Sequence, residues 1–146
     1  MIAVDTNIIV YAHRRDSEWH EASLRCLRSL AEGPERWAIP WPCIHEFLAI
    51  VTHPRIYSPP TPLATAFAAI DVWLGCPTCT AIGEGPGYLE RLQGLVVGAR
   101  AAGGLVHDAR VAALCLHHGV SELWSSDRDF SRFPELSITN PLLSPR

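Results

Sequence analysis

Residues 1–12, MIAVDTNIIVYA, set a carboxylate inside an otherwise apolar run. Met1 to Val4 lead straight into Asp5, Thr6 and Asn7 follow, and the apolar residues resume at Ile8. An ionised carboxylate buried without a partner is costly, so Asp5 needs either a break in the buried structure or a compensating group. The pattern offers the break. Ile2–Val4 has the character of a short buried strand, and Asn7–His13 reads as a short helix. Asp5 then closes the first strand, at the edge where open parallel sheets bind their ligands.

Beyond this unit, short apolar strands alternate with amphipathic helices. Ser17 is read as the N-cap of a helix running to Ala31, with Trp19, Ala22, Cys26, Leu27 and Leu30 on one face. Trp37–Ile39 is a second strand. Pro42 suits a first helical position and opens a helix to His53, stopped by Pro54. Thr61-Pro62 starts another helix through Leu74, and Thr80–Ile82 is a third strand. A helix from Gly85-Pro86 to about Arg100, a helix Val106–His118 and strands Leu123–Ser125 and Ser137–Thr139 complete the chain. The expected fold is α/β, a three-layer α/β/α sandwich around a central, mainly parallel sheet. Residues 1–146 are expected to form a single domain, because no repeat or linker interrupts the pattern.

The bulk numbers narrow the class. The chain has 146 residues, 48% hydrophobic and 18% charged, with a formal net charge of −3. That charge speaks against coating nucleic acid through bulk attraction, but an enzyme with a carboxylate-rich site would also be acidic. All 12 basic residues are Arg and none is Lys. No apolar run approaches the roughly 20 residues that span a bilayer. The first residues lack the basic stretch and cleavage site of a secretory signal, so a cytoplasmic protein with no membrane association is expected. The 5 cysteines are scattered and odd in number, which reads as reduced thiols. Cys76-Pro77-Thr78-Cys79 has no second pair to complete a zinc site and follows a helix rather than a strand; it receives no metal or redox role.

Five acidic residues are expected at or beside the ligand-binding edge. Asp5 ends the first strand, and Asp127 and Asp129 follow the fourth. Glu46 and Asp108 lie in helices among apolar neighbours. Taken singly, each has an ordinary explanation: a helix N-terminus for Glu46 and Asp108, a turn for Asp127 and Asp129. Taken together, converging carboxylates with no Lys among them repel one another unless a cation holds them. All-oxygen ligands suit Mg²⁺ or Mn²⁺. One or two such ions, a pair lying about 3.5–4 Å apart, activate water and stabilise the leaving oxygen of a phosphodiester.

Four segments carry a family resemblance: VDTNIIVYA (4–12), HEFLAIVTHPR (45–55), HDARVAAL (107–114) and SSDRDFSRFP (125–134). In this order and spacing the chain resembles the PIN domain and, within it, the VapC ribonuclease toxins of bacterial toxin–antitoxin modules. The resemblance implies a Mg²⁺-dependent endoribonuclease, with Mn²⁺ as a substitute. Asp5 and Asp108 would be the principal metal ligands. Glu46 and Asp127 would complete the catalytic pocket, Asp127 also touching metal, with Asp129 an additional acidic site. Thr6, Asn7 and Ser125 would shape the pocket. The family also implies an RNA substrate, a VapB-type antitoxin partner and a homodimer.

Arg14, Arg15, Arg110 and Arg128 lie close in sequence to the acidic motifs and are the candidate phosphate contacts. His13, His107 and the His117-His118 pair are read as surface or dipole-complementing residues. The Leu63–Leu74 helix is more apolar than one buried face requires, which points to a protein contact. Two other folds with acids after a first strand are excluded. A haloacid-dehalogenase-type phosphatase needs a second Asp where Asn7 stands, and a receiver domain needs a Lys. A catalytically silent PIN-like module that binds RNA or protein, and a DNA-directed nuclease of the same fold, remain as alternatives.

Overall fold

The computed structural model describes residues 1–143. Its elements are β1 (Ile2–Val4), α1 (Thr6–His13), α2 (His20–Glu32), β2 (Trp37–Pro40), α3 (Trp41–Val51) and α4 (Leu63–Gly75). They continue with β3 (Cys79–Ile82), α5 (Tyr88–Ala99), α6 (Leu105–His117), β4 (Glu122–Trp124), a short 3-10 helix (Arg128–Arg132) and β5 (Ile138–Thr139). The sheet has the order β3-β2-β1-β4-β5, and every pairing in it is parallel. The expected α/β sheet is therefore fully rather than mainly parallel.

The layers follow from this order. From β1 the chain steps to β2 and then β3 on one side, and later returns across the sheet to β4 on the other. Right-handed crossovers in opposite directions put their helices on opposite faces. Thus α1 and α2 pack together with α3 and α4, whereas α5 packs on α6. The reversal falls between β1 and β4, whose Ile2 and Val4 pair with Glu122 and Trp124. A crevice opens at such a switch point beyond the strand ends, and Asp5 stands there.

Apolar burial fixes these positions. Ala3 and Val4 of β1 are fully buried, as expected for a central strand covered on both faces. Ile8 and Ile9 of α1 and Leu114 of α6 are equally inaccessible. Phe47 of α3 packs edge-to-face against His13 (5.3 Å between centroids) and Trp73 (5.0 Å), joining α1, α3 and α4. On α4 only Ala66 and Ile70 are buried, and Leu63, Phe67 and Val72 are exposed. The surplus apolar surface expected of this helix is present.

Several boundaries differ from expectation for local reasons. Ser17 does not cap α2; its hydroxyl accepts from the Trp19 amide (3.1 Å) in the preceding turn, and the helix begins at His20. The helix expected from Gly85 starts at Tyr88, because Gly87 adopts a left-handed conformation (φ 88°). Asp127 and Asp129 lie in structured backbone rather than an open turn: Asp127 caps the 3-10 helix. Cys76 and Cys79 are free thiols at the end of α4 and the start of β3. Since Cys79 pairs with Trp37 at the start of β2, they sit at the opposite end of the strands from Asp5.

Candidate active site

Asp5 occupies the N-cap of α1 with extended backbone (φ −82°, ψ 168°), but its carboxylate makes no cap hydrogen bond. Oδ2 instead accepts from Ser125 Oγ (2.7 Å) and Asn7 Nδ2 (3.4 Å), and Oδ1 faces Cys43 Sγ at 3.4 Å. Every one of these donors is neutral. Burial pushes the Asp5 carboxyl above its ordinary range, opposed mainly by the Ser125 hydroxyl, while the charge of Asp127 raises it further. Asn7 also accepts through Oδ1 from the Ser126 amide (3.3 Å), tying α1 to the segment after β4. Ser125 likewise turns two ways, accepting from the Asp127 amide (3.0 Å) while donating to Asp5.

The remaining acids come from three other elements. Asp108 lies in the first turn of α6, and Asp127 precedes the 3-10 helix, its Oδ1 accepting from the Asp129 amide (2.9 Å). Carboxylate oxygens of Asp108, Asp127 and Asp129 fall within 4.8 Å of one another. Glu46 sits in the middle of α3, so attraction to a helix N-terminus does not explain it. Burial, then Asp5 and Asp127, push the Glu46 carboxyl up, partly offset by His107. Burial, then Asp127, Asp129, Asp5 and Glu46, push Asp108 up to about 6. Asp5, Glu46, Asp108 and Asp127 line one cleft of about 240 Å³, and Thr6 and Asn7 form part of its wall. Among the described residues no Arg lines it.

None of the four predicted Arg residues lines the acidic cleft, although Arg110 borders Glu46 in a neighbouring hollow. Arg14 is committed elsewhere: Nε and Nη2 donate to Asp16 (2.9 and 2.6 Å) and Nη1 to Thr61 Oγ1 (3.1 Å). Arg110 lies 3.8 Å from Glu84 and lines a neighbouring hollow with His45 and His107; Arg15 and Arg128 are exposed. Four further residues of the cleft region have no site role in the sequence reading. Cys43 lies three residues before Glu46 and Tyr11 four after Asn7, spacings that put each beside a residue of the site on its helix, whereas His107 is only next to Asp108 in sequence. Tyr57, from the loop between α3 and α4, carries no such signal.

The donor set fits a hard divalent cation. Its ligand atoms are carboxylate oxygens, and their mutual repulsion in a half-buried cleft is what a cation would relieve. This gives a stability test. Folded Asp108 takes up its proton as the pH falls through about 6, whereas the unfolded residue does so near 3.8. The fold therefore loses stability as pH rises through that range. In EDTA at neutral pH, Asp108→Asn is expected to be more stable than wild type by about 1 kcal/mol, allowing for screening at a largely open carboxylate. The gain should shrink as the pH falls through about 6, vanish below about 3.8, and be reversed when Mg²⁺ stabilises only the wild type. Urea unfolding measures all three, and a destabilised variant at neutral pH in EDTA would contradict the repulsion.

This sheet edge, its switch point and its acids match a known class. Residues 2–136 match the PIN domain model. The chain is 30% identical over 137 residues to Ribonuclease VapC48 of Mycobacterium tuberculosis, covering 94% of each chain. It is 32% identical over 142 residues to Ribonuclease VapC43 of the same organism, covering 97% of this chain and 96% of that one. The fold is shared with a chain in the crystal structure of VapBC2 from Rickettsia felis bound to a DNA fragment from their promoter. The TM-score there is 0.70 at 19% identity, covering 95% of this chain and 98% of that one. Mycobacterium tuberculosis VapC20, a sarcin-ricin loop cleaving toxin, superposes with a TM-score of 0.65 at 18% identity, covering 90% and 93%. The chain belongs to the PIN-domain family, among its VapC ribonucleases. It is an endoribonuclease, and ribonucleases of this family are generally metal-dependent.

Proposed function

We propose that this ribonuclease uses Mg²⁺ held by Asp5, Asp108 and Asp127, and acts in the cytoplasm as the toxin of a type II toxin–antitoxin module. The observation that carries the reading is the arrival of Asp5, Glu46, Asp108 and Asp127 from four separate segments in one cleft, with no Arg among the described residues lining it to balance them. A bound divalent cation would lower the pKa of a water and stabilise the oxygen leaving phosphorus. The chain's own residues do the rest. Ser125 and Asn7 hold the Asp5 carboxylate in one orientation through Oδ2. Glu46, whose carboxyl has a raised affinity for protons, takes the proton of the attacking water. Asp129 adds negative charge at the rim beside Asp108 and Asp127.

The names of the curated relatives support RNA as substrate, and solved VapBC and FitAB assemblies support a VapB-type antitoxin as partner. The exposed Leu63, Phe67 and Val72 give α4 apolar area that a homodimer would bury. The test is cleavage of structured RNA by the purified chain. Cuts leaving 5′-phosphates are expected with Mg²⁺ or Mn²⁺ and none in EDTA, and expression without antitoxin should arrest growth. Cleavage indifferent to EDTA would overturn the metal mechanism. RNA binding without cleavage would select the silent binding module, and cleavage of DNA alone the DNA-directed nuclease.

A further inference from the structure

The acidic cleft has a second, chemically different end. Beside the carboxylates its wall is made by Val10, Tyr11, Ile50 and Tyr57. Hydrolysis at a metal does not need an aromatic wall, and Tyr57 comes from a loop that rests it, half-buried, against the edge of the core beside Tyr11. The loop is held firmly. The Thr61 amide donates to Val51 O (2.7 Å), and Thr61 Oγ1 meets both His13 Nε2 and Arg14 Nη1 (each 3.1 Å). The Arg14 guanidinium, itself clamped by Asp16, stacks 4.3 Å from the centre of the Tyr57 ring. One face of Tyr57 is thus covered by a cation while the residue still lines the cleft and remains partly exposed.

We propose that Tyr57, with Tyr11 beside it, forms a stacking subsite for an unpaired nucleobase next to the scissile phosphodiester, and that Arg14 is the positioning residue that holds Tyr57 there. This deepens the ribonuclease reading of the cleft and rests on it. Charge selects the occupant. A second phosphate at this end would be repelled by the neighbouring carboxylates, whereas a base is neutral, flat and apolar on its faces. Unstacked bases of single-stranded RNA are commonly held on aromatic rings, and such stacking tolerates any base. A cation behind the ring is well placed by the same attraction that puts Arg over aromatic faces.

The probe is a fluorescein-labelled hairpin oligoribonucleotide with an unpaired loop, replaced one position at a time by an abasic nucleotide, bound in Ca²⁺. In wild type, one abasic position is expected to weaken binding about tenfold, the scale of a single stacked base. Tyr57→Leu should weaken the intact hairpin by a similar factor and abolish the penalty at that position, and Tyr57→Phe should match wild type. Tyr57→Gln, polar at a partly exposed site, repeats the measurement should Tyr57→Leu fold poorly. Arg14→Gln should reduce the same penalty without changing its position. No abasic penalty, or one that survives intact in the Leu and Gln variants, overturns the subsite. Mg²⁺-dependent cleavage read separately on wild type decides the ribonuclease reading, so either can fail alone.

Discussion

Asp5→Asn is expected to lower the rate of RNA cleavage by about 10³-fold or more and to leave the protein folded. The size follows from the several kcal/mol that a correctly held divalent cation contributes to a phosphoryl transition state. The direction on stability follows from the environment. Asp5 is 6% exposed and its contacts to Ser125, Asn7 and Cys43 come from neutral groups, so its negative charge is a burden to the metal-free fold. Asn keeps the size and an acceptor oxygen for Ser125 Oγ while removing that charge. Single-turnover cleavage at saturating Mg²⁺, with urea unfolding in EDTA, measures both. A loss within tenfold would take Asp5 out of the metal site. A large loss of stability would mean that the carboxylate serves the fold.

Phe47→Ala is expected to have the largest effect on the fold itself, about 3–5 kcal/mol of destabilisation, against a total stability of about 5–15 kcal/mol for a domain. Phe47 is 0% exposed, and its ring is the meeting point of His13 on α1 and Trp73 on α4. Truncation leaves a cavity that three helices cannot all close. The cost reaches the site as well, because α3 also carries Cys43, which faces Asp5, and Glu46. Phe47→Leu, which retains most of the volume, should cost about 1–2 kcal/mol. Urea unfolding separates the two, and equal small effects would place Phe47 outside the packing centre.

Much of the molecule is legible in its residues because of periodicity. Asp5 between Val4 and the Ile8-Ile9 pair can end only a short strand, and the apolar spacing of Val106–His118 can form only a helix. The four acidic segments are likewise legible, each as a motif. Ser17 departs from its expected role because the hydroxyl of a Ser before a helix serves a turn as readily as a cap, and only the backbone path distinguishes them. Asp127 illustrates the limit in the other direction. Its turn-like neighbourhood suggests a backbone contact, and it caps the 3-10 helix and lines the cleft at once. Adjacency to the first motif suggests a phosphate contact for Arg14, whereas the structure commits it to Asp16, Thr61 and Tyr57.

By itself the sequence determined the alternation of strands and helices, the family, and which carboxylates belong to the motifs, since these depend on side-chain type and on spacing within a segment. Only the tertiary structure decided that β1 and β4 are neighbours, bringing Ser125 to Asp5 across 120 positions of chain. It also decided that Cys43 backs the same carboxylate and that Tyr57 lines the cleft. The physical reason is range. Propensity and periodicity act over a few residues, whereas the pairing of distant strands is chosen by the burial of a whole core. The chemistry of the cleft is set by charges that only the finished fold brings close together.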